Sequence, residues 1–103
     1  MADWSTEDLK VVAAYFNSKG LSSLDDEHDF CQHLADEIGH RASSVDQQAR
    51  MMRNIQRGDD SGYTHAGAKL HKVANEYLLY HQKSYEEANK IIDRNDYDLP
   101  KLP

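Results

Sequence analysis

Arg41, Arg50, Arg53 and Arg57, four of the chain's five arginines, lie between residues 41 and 57, where Asp46 alone opposes them. Positions 50, 53 and 57 recur at the spacing that puts side chains on one face of a helix. Guanidinium groups so arranged can reach phosphates or grip a guanine edge bidentately, and the amides of Gln47, Gln48 and Asn54 can address adenine. Ser43 and Ser44, at the expected start of the same helix, can hold a phosphate at the positive end of its dipole. If Arg50, Arg53 and Arg57 each neutralise one phosphate, log K falls with log salt at a slope of about −3. A plainer reading stands beside this one: charged helix faces are usually solvated, and these arginines can simply pair with neighbouring carboxylates.

Other constellations are weaker. Asp29, His33, Asp36 and His40 form a stripe of carboxylate and imidazole groups, but neither two close ligand pairs nor a His-Glu-x-x-His helix is present, so a polar helix face is the stronger reading and no metal is expected. Cys31 borders an apolar stripe, where burial keeps a thiol protonated and inert. The acidic run Asp25, Asp26 and Glu27 suits a helix start better than paired-carboxylate catalysis. The sequence has no glycine-rich phosphate loop. Neither catalysis nor a cofactor is therefore expected.

The elements that must position these groups are helices throughout. Ser5 caps a first helix whose residues Leu9, Val12, Ala13 and Phe16 share one face, with Val11 and Tyr15 opposite, a pattern for a helix flanked on two sides. Trp4 is placed to staple onto Leu9, and Gly20 ends the helix. Ser22 or Ser23 is expected to cap a second helix, opened by the acidic run and carrying Phe30, Leu34 and Ile38 inward. Gly39 stops it. A capping box from Ser44 to Gln47 opens the third helix, which buries Val45, Ala49, Met52 and Ile55 and runs to about Gly58. Residues 58–64, GDDSGYT, read as a loop. From Leu70 to Ile92 helical spacing persists, with a potential restart at Ser84 to Glu87, and one helix or two are equally compatible. The tail DYDLPKLP reads as extended or disordered.

A chain of 103 residues with 39% hydrophobic and 29% charged residues suits one globular domain. The expected division is a helical domain over residues 1–95 and an extended tail over 96–103. The lone cysteine excludes an internal disulfide and points to a reducing, cytoplasmic setting. No apolar run nears the roughly 20 residues that span a bilayer. Net charge is −6, and with the arginine segment at +3 the remainder carries −9. So polarised a molecule is ill suited to coating nucleic acid indiscriminately.

The segments WSTEDLKVVAAYF and LADEIGHRASSVDQQARMMRNI resemble a Myb or SANT-type unit, through Trp4, Glu7, Asp8, Arg41, Val45 and Arg50. The resemblance implies an all-α fold, a three-helix helix-turn-helix core with one long or two short helices after it. A narrower similarity is to the head domain that precedes HNH nuclease modules in McrA-type restriction enzymes. It rests on Trp4, Tyr15 and Phe16, on Arg41, Ser44, Val45 and Asp46, on Asn54 and Ile55, on Gly62 and Tyr63, and on the helix from Leu70 to Leu78. The loop after Ile55 departs from that family in being shorter and more acidic, with Asp59 and Asp60. The resemblance implies association with double-stranded DNA in a phage or restriction setting, without a reaction of the chain's own.

Two further expectations come from other classes. An excess of 18 acidic over 12 basic residues suits a protein-interaction module, such as a phage-encoded inhibitor that presents Asp25, Asp26, Glu27 and Asp29 to a DNA-acting enzyme. Tyr63, Tyr77, Tyr80 and Tyr85, with His81, can form the interface of a homodimer or pack over the first helix.

Overall fold

A computed structural model describes residues 4–58 and 67–103. The loop expected over 58–64, apart from Gly58, and Asp59, Asp60, Gly62 and Tyr63 lie outside the described residues. Five α-helices follow in order among the described residues: α1 (Thr6–Lys19), α2 (Asp29–Ile38), α3 (Ala42–Gln56), α4 (Ala68–Tyr77) and α5 (His81–Asn95). No strand occurs among the described residues.

α1 is the central helix. Ser5, in extended backbone, accepts from the Asp8 amide at 3.0 Å, and Gly20 ends the helix at φ +86°. Leu9 and the run Val11 to Tyr15 are buried. Burial all round follows from the absence of a polar face, and α3, α4 and α5 pack on it. The Tyr15 phenol reaches out of this core to donate to the Pro100 carbonyl at 2.5 Å.

The second helix begins later than the sequence suggests. Leu21–Leu24 forms a 3-10 turn, and α2 opens at Asp29 with the His28 ring accepting from the Phe30 amide at 3.1 Å. Neither Ser22 nor Ser23 caps it. Leu24 is the physical reason, because the tight turn drives that side chain fully into the core, and the chain must then pass through the extended Asp25 before it can coil again. At the other end Gly39 adopts φ +79°, and the His40 amide donates to Ala35 O at 2.9 Å, a Schellman closure.

α3, by contrast, starts earlier than its expected capping box, with Arg41 in place of Ser44 as the flanking residue and no side chain capping the helix. Val45, Ala49 and Met52 are buried as the periodicity requires, Ile55 is half-buried, and Met51 joins the core. The long C-terminal pattern is two helices. The break falls at Leu78–Tyr80 and not at Ser84. Ser84 is buried inside α5, donating to the His81 carbonyl at 2.7 Å and accepting from Asn17 of α1 at 3.0 Å. Tyr77 is buried against the bundle, Tyr85 is half-buried, and Leu79 and Tyr80 are exposed at the break.

The tail is extended, as two prolines favour, and it is part of the fold. Leu99 and Leu102 are buried. Asn89 clamps the Leu102 backbone from both sides, donating at 3.1 Å and accepting at 3.0 Å. Glu37 of α2 accepts from the Asp98 amide at 2.6 Å, and the His33 ring donates to the Asp98 carbonyl at 2.6 Å. No helix among the described residues is long and apolar enough to cross a membrane.

Candidate nucleic-acid interface

The solvent side of α3 is a stripe of Ser43, Gln47, Arg50, Asn54 and Arg57, spaced at three and four residues. Ser43, Gln47 and Arg57 are exposed, Ser44 and Asn54 half-exposed, and Arg41 stands exposed at the helix start. The expected trio of arginines is divided. Arg50 folds back on acids, its Nε 2.5 Å from Asp46 Oδ1 one turn earlier and its Nη2 3.6 Å from Asp25 Oδ2. Arg53 lies half-buried to one side, with Nη2 donating to the side-chain oxygen Oδ1 of Asn54 at 3.5 Å. Its buried Nε has no hydrogen-bond partner among the described residues. Among the described residues, Arg41 and Arg57, at opposite ends of the helix, are the exposed arginines of this segment with no acidic partner.

The cause lies in the late start of α2. With Leu24 pinned inside, Asp25 and Asp26 come to rest beside α3, where the nearly buried Asp46 carboxylate accepts from the Asp26 amide at 3.1 Å. Carboxylate oxygens of Asp25, Asp26 and Asp46 approach within 4.8 Å of one another. Arg50 supplies positive charge to this cluster, which leaves less of it for any partner.

The N-terminal end of α3 is different. Only residues 39–41 separate it from α2, and its first turn holds no acidic residue. Beside it is a cavity of about 680 Å³ bordered by Trp4, His40, Arg41, Ser44, Gln47 and Gln48. One wall is aromatic: the Trp4 indole and His40 imidazole lie parallel, 3.8 Å between centroids and 2° between planes. That wall is fixed from behind. His40 Nε2 is 3.3 Å from Asp8 Oδ2, with 4% of the histidine side chain exposed. A carboxylate only accepts, so this nitrogen carries the proton. The Tyr97 hydroxyl donates to the other oxygen of Asp8 at 3.4 Å. Burial, and then the Asp8 charge, push the Tyr97 phenol above its ordinary pKa.

Trp4 therefore stacks on the α2–α3 turn while also packing against the core cluster that contains Leu9. Asp8 and His40 lie far apart in the chain, and no local pattern joins them. Trp4 as a lone tryptophan, and His40 directly after a stopping glycine, were the only signals available.

The stripe Asp29, His33, Asp36 and His40 does not converge. His33 is engaged by the tail and His40 by Asp8. Cys31 is fully buried, its thiol donating to the Leu24 carbonyl at 3.3 Å. Burial first, then the charges of Asp46, Asp26 and Asp25, push it up to about 11. Such a thiol is protonated near neutrality and a poor nucleophile.

Compared with family models, with curated proteins and with solved structures, the chain finds no match.

Proposed function

We propose that the chain is a non-enzymatic DNA-binding module of helix-turn-helix type, in which the beginning of α3 meets the duplex. The observation that carries this reading is the open helix start. A three-residue turn presents α3 with no side-chain cap and no carboxylate in its first turn, flanked by exposed Arg41, Ser43 and Gln47. Unpaired amides at a helix N-terminus attract a phosphate, and the first residues of a reading helix are those that reach base edges. Gln47 and Asn54 on the outer stripe suit adenine, and Arg57 suits a flanking phosphate. Arg53 and Arg50 are secondary, Arg50 because its charge is shared with Asp46 and Asp25. The resemblance to restriction-enzyme head domains points to a phage or restriction setting.

The test is fluorescence anisotropy of labelled duplex over a range of salt. With two phosphates neutralised, by Arg41 and Arg57, log K falls against log salt at a slope of about −2. A flat salt dependence, or full affinity in Arg41→Ala, rejects the reading.

One observation favours a second reading, a protein-interaction module or inhibitor of a DNA-acting enzyme. Asp26 and Glu27, between the 3-10 turn and α2, and Asp29 at the first position of α2 are exposed, on a molecule of net charge −6. It requires that the protein retard no duplex and bind a basic DNA-channel surface, with loss of that binding in a variant carrying Asn or Gln at those three positions.

A further inference from the structure

The cavity beside α3 carries more than generic attraction to a backbone, because it brings three chemistries to one place. It has an aromatic wall of Trp4 and His40, side-chain amides on Gln47 and Gln48, and a cation with a hydroxyl, Arg41 and Ser44, at an uncapped helix start. Its volume of about 680 Å³ falls within the roughly 300–1,000 Å³ usual for small-ligand sites.

We propose that this cavity seats one unpaired nucleotide, its base against the Trp4 indole and its phosphate between Arg41, Ser44 and the first turn of α3. Each part of the ligand has its own counterpart: a π-face for the indole, a hydrogen-bonding edge for the amides, and an anion for the guanidinium and hydroxyl. A base inside a duplex shows neither face, since both are stacked on neighbours, so contact with the indole selects an unpaired base. The wall is preorganised. Asp8 holds the His40 ring at 3.3 Å, and Tyr97 holds Asp8 in turn, so little side-chain entropy is lost on binding. The inference rests on the reading that α3 begins at a nucleic-acid surface, and it adds the strand state that surface prefers.

Trp4 is the chain's sole tryptophan, so its emission reports on this cavity alone. Three probes are titrated: a fully paired DNA hairpin closed by a non-nucleotide linker, the same hairpin with one bulged thymidine, and thymidine monophosphate. Anisotropy of the labelled hairpins is read beside Trp4 emission. The bulged hairpin quenches Trp4 saturably and binds about five- to a hundredfold more tightly than the paired one, the range expected for one base–aromatic stack. Trp4→Ala abolishes that preference while leaving paired affinity within about twofold. Because Trp4 also packs on the core, Gln47→Ala, at an exposed position, serves as the second variant and lowers the preference severalfold with the fluorophore in place. Quenching by the monophosphate as well makes a free nucleotide a sufficient ligand, whereas quenching by the bulged hairpin alone makes the strand necessary. Equal binding of both hairpins with unmoved emission overturns the nucleotide seat and leaves duplex binding standing. Quenching by the monophosphate with neither hairpin bound does the reverse, and no response to any probe overturns both.

Discussion

At the scale of single residues, Asp46 decides how much of the arginine charge faces outward. Its carboxylate accepts from Arg50 and from the Asp26 amide, and only a small part of it is exposed. In Asp46→Asn the amide oxygen can still accept from Asp26, while the ionic half of the Arg50 contact is lost. A half-exposed pair of this kind contributes little, so urea titration should show a loss of about 1 kcal/mol. DNA affinity should move the other way. With one negative charge removed beside Arg50, which keeps its contact with Asp25, the salt slope of duplex binding steepens by a fraction of one. An unchanged slope in that variant would mean that Arg50 lies away from the bound strand. Cys31 gives a second prediction at this scale. Its thiol is raised from 9.0 to about 11 by burial, so the folded state holds the proton more tightly than the unfolded one. The resulting stability is complete below about pH 9 and is lost as pH rises towards 11. Thermal melts across that window should fall more steeply for the parent than for Cys31→Ser, with the tyrosines common to both.

At the scale of elements, what the sequence made legible was whatever a short-range signal controls. The Ser5 cap, the stops at Gly20 and Gly39 and the buried positions of α1 and α3 all follow from local geometry or a 3.6-residue period. What escaped was controlled from a distance. The start of α2 is set by Leu24, whose burial between α1 and α3 outweighs the capping preference of Ser22 and Ser23. Ser84 reads as a cap, yet it is committed to Asn17 on another helix. The division of the arginine face has the same origin, because Asp25 reaches Arg50 only after the 3-10 turn has displaced it. Gly39 shows the reverse, a local requirement with a functional consequence. It sits at φ +79°, where an added Cβ meets nothing within 4 Å, so Gly39→Ala costs backbone strain alone. That strain is about 1–2 kcal/mol, read as a lowered urea midpoint at unchanged m-value. Because the same turn aims α3, duplex affinity should drop by more than the small unfolded fraction explains.

At the scale of the whole molecule, the tail ties the two ends of the chain to the candidate site. Composition alone makes DYDLPKLP a segment without regular structure, and it has none. Its place in the core depends on acceptors and donors supplied by α1, α2 and α5, which no local pattern reveals. Tyr97 braces Asp8, Asp8 braces His40, and His40 carries Trp4, so the last residues of the protein support the wall of a cavity formed at its beginning. Deleting residues 97–103 should therefore do two separable things. It exposes the surfaces that Leu99 and Leu102 cover, each worth about 1.5–3 kcal/mol, with the Tyr15 phenol losing its acceptor as well, and it removes the Tyr97 hydroxyl that braces Asp8. The total is comparable with the whole stability of a small domain, and the truncated chain should melt far below the parent. Tyr97→Phe isolates the second effect. It keeps the ring and removes only the hydroxyl that holds Asp8, so the melting temperature should barely move while Trp4 emission changes as its stack on His40 loosens. Near-parental melting of the truncated chain, or Trp4 emission in Tyr97→Phe identical to the parent, would show that the tail and the cavity are independent.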